Sequence, residues 1–221
     1  MAMTTGVPTR NDLGKYSVNR PGWEVIRQSL YHYQSYAAAG QSFLSFFQTP
    51  SGSGGLTDSD TNMTLAGQLP ANQEFLVESI EIQIFPTVPA VAAANPSAFG
   101  AQAVAAQVND AYIIGRTGNA VLTIGAKPYL KEAPIGRFPP KVHFNLAAAL
   151  TDTTTAGASQ QSRIAFPWWS GRPYIISPAR LKLESTQNFV FSLNWPEGAQ
   201  AITNPARIGV IFDGFLYRRS Q

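Results

Sequence analysis

Two histidines, His32 and His143, are the only imidazoles in the chain, and they lie in different halves of it. Two are too few for a histidine-rich metal cluster. His143 alternates with Val142 and Phe144, which reads as a solvent-facing or hydrogen-bonded strand histidine. A hydrolase built on it would lose its activity in His143→Ala. No G-x-S-x-G elbow is present, and Ser51 and Ser53 sit in a glycine loop rather than at a strand-to-helix turn. Asp58-Ser59-Asp60-Thr61-Asn62 opens like a calcium loop, with oxygen ligands at alternate positions. Met63 then stands where that loop turns on glycine, and Leu69 replaces the closing glutamate, so an Asx-rich turn is expected. Glu78 and Glu81 are not assignable as a glycosidase pair from spacing alone. There is no cysteine, which removes disulfides, thiolate nucleophiles and thiolate metal sites. No catalytic residue, metal ligand or cofactor is expected.

Binding chemistry is better supplied. Trp168-Trp169 beside Ser170-Gly171-Arg172 reads either as a sugar-stacking platform or as core packing of adjacent strand tryptophans. Arg10, Lys15, Arg20 and Arg27, set against Asp12 and Glu24, can make non-specific contact with nucleic-acid phosphates or lipid headgroups.

Charge is laid down in blocks. Residues 28–115 contain no lysine or arginine but hold Asp58, Asp60, Glu74, Glu78, Glu81 and Asp110, a sum of −6; residues 1–27 carry +2 and residues 116–221 carry +7. Like charges within a block repel unless the fold or a partner brings the opposite block to them. Two outcomes satisfy this: blocks interleaved within one subunit, or blocks matched between copies of the chain. Charged residues make up only 13% of the sequence, about half the usual share, and a surface poor in Lys and Glu suits buried subunit contacts.

These residues need a scaffold. The first 20 residues lack periodicity and read as an extended arm. Pro21 suits a first helical turn, and Trp23, Ile26, Leu30 and Tyr33 recur at three- and four-residue steps, predicting an amphipathic helix whose stripe is covered by a neighbouring subunit or lipid. An arm-and-helix segment over 1–40 therefore precedes a domain over 41–221. Short β-like runs follow at 42–49, 61–69 and 75–85, the last with Ile80, Ile82 and Ile84 alternating with Glu81 and Gln83. An Ala-rich stretch at 97–110, with Ser97 as N-cap, predicts a helical insertion. Further strands are expected at 111–116, 120–126, 129–132, 142–150, 163–169, 174–177, 179–184, 188–195 and 207–218, with Gly214 marking a bulge. Many short strands without alternating long helices predict an all-β antiparallel sandwich, and a jelly roll accommodates the count. The N-terminus has no apolar leader and no run long enough to span a membrane, so synthesis in the cytosol is expected.

Three stretches together resemble the single-jelly-roll major capsid proteins of tailless icosahedral bacterial viruses: LTIGAKPYLKEAPIGRFPP at 122–140, FSLNWP at 191–196 and IGVIFDGFLYRRSQ at 208–221. The resemblance covers mainly 122–221. It implies a virion location, host cytoplasm before assembly, homo-oligomeric capsomers, contact with other virion proteins, and an inner face toward genome or internal membrane. It implies no catalytic residue. A minor capsid or spike component and a carbohydrate-binding sandwich are the alternatives.

Overall fold

A computed structural model describes residues 22–86, 101–141, 146–152, 160–166, 172–176 and 180–219. Its framework is two facing antiparallel sheets. β1 (Trp23–Arg27) and β2 (Leu30–Tyr36) run end to end along one edge of β12 (Ala206–Arg219). The other edge of β12 pairs with β4 (Gln73–Pro86), and β9 (Tyr174–Ile175) and β10 (Leu181–Leu183) line the far side of β4. The second sheet runs β3 (Phe43–Phe46), β11 (Phe189–Asn194), β5 (Asn119–Ile124), β6 (Lys127–Glu132). A separate hairpin pairs β7 (Leu146–Asp152) with β8 (Gln160–Phe166), and helix α1 (Ala101–Arg116) lies against it.

The core fills the space between the sheets. β4 sends Phe75, Val77, Ile80, Ile82 and Ile84 inward, and β12 sends Ile208, Val210 and Phe212; opposite them stand Leu44, Phe46, Leu122, Phe189, Phe191 and Leu193. Phe212 is the hub, with its ring centroid 4.6 Å from that of Phe47 and 5.7 Å from that of Phe191. From Ile80 to Ile84 every second residue is apolar and inward, with Glu81 and Gln83 between them on the opposite face.

The bulge lies at Gly214. Asp213 pairs Ser79 while Gly214 pairs Val77, so the extra residue is Glu78 on β4. A Cβ on Gly214 would stand 1.9 Å from the Leu76 carbonyl oxygen, so only glycine fits.

Three expectations are corrected. The helix predicted from Pro21 with its stripe of Trp23, Ile26, Leu30 and Tyr33 is instead β1 and β2. Trp23, Val25, Ile26, Tyr31, Tyr33 and Tyr36 are β-branched or aromatic, types that lose rotamer freedom in a helix and pack well on a pleated surface, and the open edge of β12 completes the choice. Residues 61–69 form no strand: Thr61 makes one bridge to His32, and the segment wraps the sandwich with Met63 and Leu69 buried as anchors. Residues 111–116 continue α1, because Ala111 and Ile114 bury one helical face; the helix ends where Thr117 Oγ1 donates back to the Ile113 carbonyl and Gly118 takes φ 78°. The expected N-cap Ser97 and the start of that insertion lie outside the described residues.

Candidate functional site

The outward faces of the two sheets differ in chemistry. On the first, the acidic block meets the basic blocks inside one subunit. Arg27 reaches Glu78 at 2.5 Å and Asp213 at 2.8 Å while its guanidinium lies 5.0 Å from the centre of the Phe215 ring. Arg180 takes the other oxygen of Glu78 at 2.6 Å, Lys182 pairs with Glu74 at 3.0 Å, and Lys141 pairs with Asp213. Glu81, only 6% exposed, accepts the backbone N–H of Lys141 at 2.6 Å. Burial pulls the Lys141 ammonium below its ordinary pKa, against the nearby Glu81 carboxylate. Arg207 holds Asp60 at 2.7 Å and stacks 4.3 Å from the Tyr33 ring, whose hydroxyl donates to Gln83 at 2.8 Å. Of the two outcomes the charge blocks allow, the first accounts for Asp60, Glu74 and Glu78: their cations come from the same chain.

On the second sheet the charges gather on the edge strand β6, where Glu132 pairs with Arg137 at 2.5 Å. β3, β5 and β11 contain no ionisable side chain. Phe43 is 55% exposed, and Ser45, Val121, Thr123, Val190 and Asn194 are partly exposed beside it. These belong to the outward set, since Leu44, Phe46, Leu122, Ile124, Phe191 and Leu193 alternate with them into the core. Asn194 Nδ2 donates to Asn119 Oδ1 at 3.2 Å across this surface. The open edge at β6 is guarded by Lys127, Pro128 and Lys131, residue types that discourage strand addition.

The residues singled out in the sequence scatter. Trp23 and Ile26 lie on β1, and Leu30 and Tyr33 on β2. A spacing of three puts consecutive members on opposite faces of a strand, so no common stripe forms. Leu30 is in the core, while the Tyr33 ring lies where a Cβ on Gly209 would come within 2.1 Å of it. Trp23 stacks with Arg219 at 5.6 Å. Arg27 is held by two carboxylates while its side chain stays half exposed. Arg10, Lys15, Arg20, His143, Trp168 and Trp169 lie outside the described residues.

Asp60 reaches back to Thr57 in the manner of a capping box: the Thr57 N–H and hydroxyl each donate to it at 2.9 Å. Those bonds, Thr57 first and then Arg207, hold its carboxyl below the usual range. Ser51 donates to Asp58, so the oxygen ligands a calcium loop would need are engaged in local bonds.

His32 is fully buried and joins the two sheets. Its Nδ1 accepts the Phe47 N–H at 3.0 Å, which fixes Phe47 at φ 69°, and the Phe46 and Phe47 rings pack edge-on against the imidazole. Burial lowers its pKa to about 4, with Asp60 opposing, so the ring is neutral at pH 7.

A cavity of about 240 Å³ opens at one end of the sandwich, between the end of α1 and the 195–200 loop. Trp195, 2% exposed, lines it, and its Nε1–H has no hydrogen-bond partner among the described residues. The strand expected at 188–195 ends on Trp195, and no local pattern joins it to Gly118, which comes from a distant turn. Among the described residues no three histidine, aspartate or glutamate side chains converge as a metal site, and no helix is long and apolar enough to cross a membrane. Comparison with protein-family models, curated proteins and solved structures yields no match.

Proposed function

We propose that the chain is a single jelly roll and that it works as a structural virion protein, the major capsid protein of a bacterial DNA virus, assembling from copies of itself. One observation carries this reading: the strand order. With β1/β2 counted as the first strand and β9/β10 as the sixth, and the β7–β8 hairpin set aside, the sheets run 1-8-3-6 and 2-7-4-5. Strands 1 and 8, 2 and 7, 3 and 6, 4 and 5 are neighbours, as in one long antiparallel ribbon wound round a barrel. The α1 insertion between the third and fourth strands and the β7–β8 insertion between the fifth and sixth touch each other, so both extend the same end of the barrel.

Shell proteins, lectins and cupins share this winding. The uncharged second face favours the shell. Depletion of charge marks the core of protein interfaces, and the second sheet provides it over three adjoining strands. Three strands about 4.8 Å apart and four to six residues long present on the order of 300 Å². A stable contact needs about 800 Å² a side, so this face is the centre of a larger interface that takes in neighbouring loops.

Host cytoplasm before assembly and the virion afterwards are the locations this reading gives. Other virion proteins are its further partners, with the basic arm bearing Arg10, Lys15 and Arg20 toward genome or membrane lipid. The test is light scattering after size exclusion, with negative-stain imaging of every large fraction. Closed shells or regular capsomers are expected; a chain that stays monomeric at high concentration overturns the proposal.

A further inference from the structure

Lys141, Asp213 and Glu81 meet on the outward face of the first sheet. The segment that carries Lys141 runs beside β4: the Ile82 N–H donates to the Phe138 carbonyl at 3.0 Å, and the Lys141 N–H donates to Glu81 Oε2 at 2.6 Å. With its backbone fixed there, Lys141 extends to β12, where Nζ is in direct contact with Asp213 Oδ2. Asp213 lies next to the bulge at Gly214 and two residues beyond Ile211, the register partner of Glu81, so both carboxylates stand on one face of adjoining strands. The Asp213 side chain is 15% exposed and Glu81 only 6%, so little water competes for either.

An amine held against a carboxyl, with a buried acid beside them, is the set of groups that amide formation needs. Burial disfavours both charged forms, so the ammonium proton passes to Asp213 at small cost and leaves an amine facing a carboxylic acid. Arg27 Nη2, 2.8 Å from the same Asp213 oxygen, draws charge from Cγ and is placed to hold the oxyanion that forms there. We propose that Lys141 and Asp213 join in an isopeptide bond: the Nζ–Cγ bond forms, the Cγ–Oδ1 bond breaks, and one water leaves. Glu81 takes a proton from the attacking nitrogen and returns it to the departing hydroxyl, so its carboxylate ends as it began. Ammonium and carboxylate become amide and water, with no oxidant, reductant or activating co-reactant. Well-oriented groups reach effective concentrations of about 10⁵–10⁸ M, far above that of the water that would hydrolyse the amide. One cation and one anion are consumed together, so the face keeps its net charge. The bond is independent of the shell reading, since it forms within one subunit.

Mass spectrometry of the denatured full chain tests it. The intact mass is expected about 18 Da, one water, below the sequence mass, and a tryptic digest should hold 138–163, uncut after Lys141, joined to 208–218. Lys141→Arg, and separately Asp213→Ala, should restore the full mass. Asp213 precedes Gly214, and closure of its carboxyl onto its own backbone releases the same water; that product persists in Lys141→Arg and leaves the two peptides apart. Glu81→Gln still accepts the Lys141 N–H but carries no proton, and should slow linkage about a hundredfold, read as the linked fraction against time after purification. Thermal melts establish that each variant is folded. A folded wild-type chain that keeps its full mass, or a loss of water that persists in Lys141→Arg, overturns the proposal. Linkage at the wild-type rate in folded Glu81→Gln overturns the part given to Glu81.

Discussion

The two outward faces solve opposite problems. On the first sheet, Arg27, Lys141 and Arg180 surround Glu78 and Asp213, so charges far apart in sequence cancel within about one side-chain length of each other. On the second, Ser45, Val121, Thr123, Val190 and Asn194 leave nothing to cancel. A face whose charges are already paired gains little from a partner, since each ion pair would have to be desolvated and replaced. A face of valine, threonine, serine and asparagine loses little on being covered. The block pattern in the sequence thus describes how one subunit holds itself together, and the uncharged strands β3, β5 and β11, which lie inside those blocks, form the face that we propose meets another copy.

The sharpest break of this contrast is to charge the uncharged face. Val121→Lys with Val190→Lys should abolish association in sedimentation experiments while shifting the melting temperature by only a degree or two, because both side chains point outward and are partly solvated. Gly214→Ala attacks the first sheet at its bulge. With the Leu76 carbonyl 1.9 Å from the new methyl, the strands must part locally, and chemical denaturation should show a loss of about 3–5 kcal/mol.

His32 comes next, as the link between the sheets. Its pKa is about 4 in the folded chain and about 6.5 when unfolded, so the unfolded state takes up the proton first as pH falls. The contribution is complete above pH 6.5 and is lost progressively toward pH 4, roughly 3 kcal/mol in all, measurable as a denaturation midpoint that falls over that window. His32→Asn should flatten that part of the profile. The smallest effect is expected from Glu78→Gln, which leaves Arg27 and Arg180 short of one carboxylate. About 1 kcal/mol should be lost at low salt and less at high salt, with association unchanged.

Strands with a clean apolar alternation were legible. Ile80, Ile82 and Ile84 in β4, and Phe189, Phe191 and Leu193 in β11, mark both strands without a structure, and Gly214 marks the bulge. β2 was not legible, because its inward set is Leu30, His32, Gln34 and Tyr36: two of the four are polar, and the inter-sheet bonds that satisfy them are invisible in sequence. What remained in view was a three- and four-residue apolar spacing that imitates a helix. The 111–116 segment failed the other way, since Ala111, Ile113 and Ile114 fit a strand as well as the end of a helix, and only burial against the sandwich decides. The uncharged face follows from residues that alternation assigns outward once β3, β5 and β11 are known to be neighbours, and pairing is what the sequence withholds. The cavity depends on Gly118 and Trp195 meeting across 77 positions, which no local pattern records.

Sedimentation velocity at two ionic strengths is the most direct test of whether identical copies join through the second sheet. Species larger than the 23.9 kDa chain should persist at about 1 M salt, where exposed charges are screened within about 3 Å, and should vanish in Val121→Lys with Val190→Lys. A complex that dissolves in salt and ignores both lysines, or no complex at all, would contradict the account.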